Sequence, residues 1–151
     1  MTLEERLDAD LKEAMRNGDT VRKLAIRAVK AAMTEARVAG SQQRTLTDDD
    51  IMAIIVKQIK QRRDSVAEFA KGSRPDLVAK EEAEIAVLEA YLPQQLDENA
   101  IRERARAVIA ELGVTDLKGL GPVMKRLTAE LRGQADGQTI NRVVRELLSV
   151  G

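Results

Sequence analysis

The chain has 151 residues, which suits one domain or two small ones, and its 25 basic and 25 acidic side chains cancel. No global field therefore draws the protein to nucleic acid, and any such binding must use a local patch. With no cysteine and no histidine, the chain lacks disulfides, thiolate chemistry, the common zinc sites and the usual general base. One phenylalanine, one tyrosine and no tryptophan exclude an aromatic platform for stacking single-stranded bases.

The first half of the chain predicts helices with clear start signals. Thr2 opens a capping box, and the Asn-Gly pair at residues 17–18 ends the first helix. Asp19 caps a second helix, which Gly40 ends before a polar loop over residues 41–46. The apolar stripe predicted for this second helix consists mostly of small residues: Val21, Leu24, Ala25, Ala28, Ala32 and Ala36.

The third predicted helix spans residues 48–71 and follows the cap Thr47. Its first three residues are aspartates, which suit the positive end of the helix dipole; the spacing does not match a Ca²⁺ loop, and no metal or other cofactor is expected. Lys60 and Arg63 share one side of this helix and form a secondary basic patch that could meet phosphate. The alternative is an ordinary solvated face, with Asp64 and Glu68 as local partners.

The fourth predicted helix runs from about Pro75 to Leu92, because Pro93 cannot continue a helix and excludes helical geometry from the residue before it. Its glutamates, Glu84 among them, are expected to face mostly outwards. Tyr91, Leu92 and Pro93 form the predicted hinge between domains. Tyr91 is expected to pack at this junction, with no base or nucleophile beside its hydroxyl.

Three shorter helices are predicted after the hinge. Asp97 caps the fifth, Pro122 suits the first position of the sixth, and Asp136 caps the seventh after a glycine-containing turn at residues 132–137. No strand-like alternation of useful length appears. The predicted fold is all-α, with an N-terminal four-helix domain over residues 1–93 joined at the proline hinge to a small three-helix domain over residues 94–151.

The sequence also predicts a location and a state of assembly. The N-terminus is acidic and has no apolar signal core, and the longest apolar run, residues 51–56, is far too short to span a bilayer. We therefore expect a cytoplasmic monomer that binds neither membrane nor DNA.

Three stretches of the chain resemble the YqeY family. They are Lys-Gln-Arg-Arg-Asp-Ser at residues 60–65, Glu-Ile at 84–85 with Tyr-Leu-Pro-Gln-Gln at 91–95, and the glycine-containing segments at 121–124 and 133–137 with Asn141 and Val144. Each motif is weak by itself, but their order and spacing make the match fairly specific. The resemblance covers essentially the whole chain.

The family's C-terminal half is similar to the tail domain of the GatB subunit of glutamyl/aspartyl-tRNA amidotransferase, which contacts the body of the tRNA. The resemblance implies that residues 94–151 are a tRNA-binding module and residues 1–93 its YqeY-type companion. The catalytic domain is not part of the resemblance. A carbon-nitrogen ligase label with glutamine as amido-N-donor would therefore rest on the shared tail alone.

On the positions that match, the resemblance implies one set of polar tRNA contacts: Lys118, Lys125, Arg132, Gly133, Asn141 and Arg145. Basic groups and amides of this kind fix position on a nucleic-acid backbone and do not read sequence. The alternative is that these glycines and cations only end helices and complement helix dipoles.

Three classes of function follow. The first is a noncatalytic accessory protein of the tRNA-dependent amidotransferase system, with tRNA or amidotransferase subunits as partner. The second is a helical protein-interaction module without RNA contact, which takes a partner helix in a groove around residues 91–96. The third, an enzyme acting alone, lacks a visible pair of carboxylates in an apolar pocket, and no catalytic residue is predicted.

Overall fold

The computed structural model describes residues 1–39 and 45–149, and this part of the chain contains seven α-helices, one short 3₁₀ helix and no strand. The predicted all-α class is confirmed. The chain forms two compact units, the first covering residues 1–92 and the second beginning at Pro93. Within the described ranges, no helix has both the length and the apolar character that crossing a membrane requires.

The first unit contains four helices: α1 (Leu3–Asn17), α2 (Thr20–Val38), α3 (Asp48–Lys71) and α4 (Pro75–Glu89). Each of the first three begins at its predicted cap, because Thr2, Asp19 and Thr47 all accept a hydrogen bond from a backbone N–H three residues later. The predicted stop at Gly40 and most of the predicted loop after it lie outside the described residues.

The core of the first unit corrects the stripe predicted for α2. The buried residues of this helix are Ala25, Ile26, Val29 and Met33, whereas Leu24 is 41% exposed. An alanine-rich helix has more than one face of low polarity, and the face with the larger side chains is the one buried here because it removes more apolar area from water.

Helix α4 ends at Glu89, three residues before the predicted end. The amides of Tyr91 and Leu92 donate to the carbonyls three residues earlier, at Leu88 and Glu89, so the last turn tightens before Pro93. Pro93 excludes helical geometry from Leu92, and the helix unwinds over the preceding turn rather than at one residue.

The second unit contains α5 (Glu98–Leu112), a 3₁₀ helix (Leu117–Gly119), α6 (Leu120–Glu130) and α7 (Gly137–Ser149). Pro122 is the third residue of α6 and not the first, which is tolerated because none of the first amides of a helix has an intrahelical acceptor. The three α-helices share one core, to which they contribute Ile101, Ala105, Val108, Val123, Leu127, Ile140, Val143, Val144 and Leu148.

Candidate functional site

An open groove of about 690 Å³ lies in the second unit, lined by the 3₁₀ helix, α6 and α7. Leu117 and Met124 give it an apolar part, and α7 contributes polar side chains, among them Asn141 and Arg145. Leu117 is 45% exposed and leaves apolar surface open at the groove. Two of the six predicted tRNA-contact residues therefore line one concave surface.

Most arginines of the second unit are neutralised by carboxylates. Glu98 and Glu146 each pair with both Arg102 and Arg142, and Glu130 pairs with Arg104 and Arg126. The hydrogen bond from Arg142 lowers the pKa of the Glu98 carboxyl, and the hydrogen bond from Arg104 lowers that of Glu130. These cations are committed to partners within the unit.

Lys118, Lys125 and Arg145 differ from these arginines. All three are exposed, and no carboxylate of the described chain forms an ion pair with any of them. Lys118 and Lys125 directly follow the groove residues Leu117 and Met124. The cationic charge that remains for a partner in this part of the unit is therefore at or next to the groove.

Arg145 is held in place by its neighbour on α7. Its Nε donates to Oδ1 of Asn141 at 2.7 Å, across one helical turn. This bond uses one edge of the guanidinium, while its two Nη groups supply further donors for an anion. Asn141 thus orients the Arg145 guanidinium at the groove, a contact that the sequence analysis did not predict.

Arg132 and Gly133 do not line the groove. Gly133 has φ +78°, and its carbonyl accepts a hydrogen bond from Nε2 of Gln95. The same turn receives the amide of Leu96 at the Gln134 carbonyl, 2.9 Å away. Hydrogen bonds from Gln95 and Leu96 therefore attach the first residues of the second unit to this turn.

The predicted secondary patch in the first unit is partly neutralised. Arg63 donates to Glu89 of α4 at 2.7 Å, and not to either of the partners predicted from its own helix. Lys60 is exposed, and no described carboxylate pairs with it. One of the two charges of this patch is therefore already used between α3 and α4.

Tyr91, predicted to lie at the hinge, is buried within the first unit at 7% exposure. Its hydroxyl donates to the carboxylate of Asp10, and the Arg6 guanidinium lies 4.5 Å from the centroid of its ring. The prediction that no base lies beside this hydroxyl is wrong, because Asp10 is far away in sequence and could not be placed from periodicity. Burial and then the hydrogen bond to Asp10 raise the pKa of the phenol above its ordinary range.

A buried ion pair was missed altogether. Glu84, predicted to face outwards, is 6% exposed, and its Oε1 lies 3.3 Å from Nη2 of Arg62. Both residues belong to motifs that carry the family resemblance. Their occurrence in two short polar motifs was the signal available in the sequence, but a buried pair of opposite charges separated by 22 positions has no local signature.

Within residues 1–39 and 45–149, no three carboxylates converge in a way that could hold a metal ion. The structure thus defines a helical protein of two compact units, the second of which carries a groove with unneutralised cations at its edge.

The chain belongs to the YqeY-like family. The sequence profile of that family, described as Yqey-like protein, matches residues 4–148. Among curated relatives, the protein named "Altered inheritance of mitochondria protein 41, mitochondrial" from Pyrenophora tritici-repentis is 32% identical over 95% of this chain and 79% of its own length. Its namesake from Kluyveromyces lactis is 36% identical over 89% of this chain and 69% of its own length. The predicted family is confirmed.

The names of these relatives also correct one prediction. Both are called mitochondrial proteins, which conflicts with the cytoplasmic location predicted from the acidic N-terminus and the lack of an apolar signal core. That prediction is wrong, because an acidic N-terminus without an apolar core bears only on secretory signals and says nothing about other compartments.

Proposed function

We propose that this protein is a noncatalytic accessory factor of the tRNA-dependent amidotransferase system and that its second unit binds tRNA. In this proposal the second unit is the counterpart of the GatB tail domain, and the four helices of the first unit are a YqeY-type companion domain. The alternative function, a helical protein-interaction module that takes a partner helix in a groove around residues 91–96, stays a prediction.

The observation that carries the proposal is the distribution of cations in the second unit. Five arginines are paired with glutamates, whereas none of the carboxylates in residues 1–39 and 45–149 pairs with Lys118, Lys125 or Arg145 at or next to the groove. An exposed cation without a partner can exchange its counterions for a phosphate, and the release of those counterions supplies affinity. A paired arginine would first have to give up its carboxylate.

The shape of the surface also supports a structured RNA as the partner. The groove is open and presents an asparagine amide together with a guanidinium, which are donors suited to phosphate and ribose oxygens. The chain has too few aromatic residues to stack unpaired bases. Recognition would then depend on the backbone and the 2′-hydroxyls of a folded RNA.

The test is the affinity of a fluorescently labelled tRNA transcript for the full chain, measured by anisotropy at 50 and 200 mM salt. The groove variant Lys118→Gln/Lys125→Gln/Arg145→Gln removes the three unpaired cations. We expect it to lose about tenfold or more in affinity at the lower salt and to reduce the salt slope by about 2 to 3.

A matched control separates the groove from a general effect of charge. The variant Lys57→Gln/Arg74→Gln/Lys80→Gln removes three exposed cations of the first unit, of which Arg74 pairs with Asp76 at 3.2 Å and the two lysines pair with no described carboxylate. It changes the net charge by the same amount and should bind tRNA as the unmodified chain does. Equal losses in both variants, or no tRNA binding by the unmodified chain, would remove the proposal.

A further inference from the structure

The corner between α1 and α2 carries a second group of unpaired cations. Helices α1 and α2 meet at Gly18, and two basic residues of each helix lie near this turn: Lys12, Arg16, Lys23 and Arg27. We call these four residues the corner patch. Lys12 and Arg16 are one turn apart on α1, and Lys23 and Arg27 are one turn apart on α2, so each pair shares a helix face.

The ion pairs between these two helices show why the corner patch is distinctive. Away from the corner, the helices are joined by Glu4 with Arg37 at 2.6 Å and by Asp8 with Lys30. Closer to Gly18, Arg22 of α2 lies 3.7 Å from Asp10 and 3.8 Å from Glu13 of α1. Arg27 differs from these cations, because its Nη2 meets the sulfur of Met15 at 3.9 Å and no described carboxylate pairs with it.

The other members of the patch are likewise uncompensated. No carboxylate of residues 1–39 and 45–149 forms an ion pair with Lys12, Arg16 or Lys23. Met15, Lys23 and Arg27 line one small surface pocket with Gly18 and the acidic Asp19, and Met15 itself is 53% exposed. The corner therefore carries four cations that no described carboxylate pairs with, beside the carboxylates of Glu13 and Asp19.

Two classes of anionic partner could meet such a patch, a phosphate polymer or an anionic membrane. A helix that lies on a membrane inserts a free apolar face. The apolar faces of α1 and α2 are already used in the core, where Leu7, Ile26 and Val29 are fully buried. The patch offers charge without an apolar face, which favours a phosphate polymer.

We propose that the corner patch binds the phosphate backbone of a structured RNA, as a contact surface of the first unit in addition to the groove of the second. It does not depend on the groove binding tRNA. Because four lysine and arginine side chains fix position and read no bases, the contact is independent of sequence. With few aromatic residues available, the RNA is a folded or double-stranded one and not a single strand.

The experiment uses the full chain and a fluorescently labelled RNA hairpin, with anisotropy measured over a salt series. The variant Lys12→Gln/Arg16→Gln/Lys23→Gln/Arg27→Gln should lose about tenfold or more in affinity at low salt and reduce the salt slope by about 3. The control Lys57→Gln/Lys71→Gln/Arg74→Gln/Lys80→Gln removes four exposed charges elsewhere in the same unit and should change neither quantity. A thermal melt of each variant verifies that it is folded.

The outcomes separate this inference from the proposed function. Loss of hairpin binding in the corner variant, with or without a loss in the groove variant, would support the corner patch, and the tRNA titration above decides separately on the groove. Loss in the groove variant alone would contradict the corner patch and leave the proposed function standing. Hairpin binding unchanged in the corner variant, or vesicles of phosphatidylserine captured by the chain in place of RNA, would overturn the inference.

Discussion

The Arg62 guanidinium and the Glu84 carboxylate form an ion pair that is almost closed to solvent, with 12% and 8% of the two side chains exposed. Nη1 of Arg62 also donates to the carbonyl and the side-chain oxygen of Gln58, at 3.2 and 2.7 Å. Within the described residues, its buried Nε has no hydrogen-bond acceptor. The two charges are thus paired, but the hydrogen-bonding capacity of Arg62 is not fully used. The ion pair lies between α3 and α4, the two described helices with the most extensive contact.

The first prediction concerns the energy of this pair. Replacing one partner leaves the other charge buried, so Arg62→Met and Glu84→Leu should each lower the free energy of unfolding by about 3 to 5 kcal/mol. The double variant removes both desolvation costs and should recover most of that loss. Urea unfolding followed by circular dichroism measures all four proteins.

One outcome of the unfolding experiment would contradict this account of the ion pair. A double variant as unstable as the less stable single variant would mean that the ion pair itself, and not the avoidance of an unpaired charge, supports the packing of α3 on α4.

The second prediction concerns Gly119, which ends the 3₁₀ helix beside the groove. A Cβ at this position would lie 2.2 Å from Cγ1 and 3.0 Å from Cβ of Val114, and a β-branched neighbour has little freedom to move. Gly119→Ala should therefore destabilise the protein by about 1 to 3 kcal/mol in thermal or urea unfolding.

Gly137 provides the control for this prediction. It is the first residue of α7, and a Cβ there would meet nothing within 4 Å. Gly137→Ala should be neutral or stabilising by up to about 1 kcal/mol. Equal effects at the two glycines would contradict the close approach of the 3₁₀ helix to Val114.

The third prediction concerns the ionisation of the single tyrosine. Burial and the Asp10 carboxylate raise the pKa of Tyr91 above its ordinary value of 10.0, and Arg6 and Arg22 offset this only in part. The folded chain therefore keeps its phenol protonated where the unfolded chain releases the proton. The stability that this supplies is complete below about pH 10 and falls as the pH rises further.

Absorbance at 295 nm tests this prediction cleanly, because the chain has one tyrosine and no tryptophan. The tyrosinate signal should appear only as helical circular dichroism is lost, and Tyr91→Phe should weaken the alkaline decline in stability. A titration centred near pH 10 in a protein that remains helical would show that Tyr91 is not held by Asp10.

The local features of this fold could be predicted, and the long-range ones could not. Thr47, Asp97 and Asp136 bond amides only three residues away, so their capping roles were visible in the sequence. Glu84 was expected to face solvent because a glutamate on a helix usually does, and its partner is on another helix. Pairing across the fold decides which charges are buried.

The candidate site shows the same division. The family resemblance implied six tRNA-contact residues in the second unit, and four of them lie in or beside the groove. Gly133 instead accepts a hydrogen bond from Gln95, 38 residues earlier in the chain. These two roles could not be separated from the sequence alone, because both use polar or glycine positions near helix ends.

The most direct test of the central claim, that the groove of the second unit binds tRNA, is a backbone NMR titration of the ¹⁵N-labelled full chain with an unlabelled tRNA transcript. The proposal predicts salt-sensitive shifts or broadening concentrated at residues 117–125 and 137–149, with the groove variant largely unresponsive. Perturbations confined to the corner between α1 and α2 would place the RNA on the first unit only. A spectrum unchanged by tRNA at low salt would contradict RNA binding by either surface.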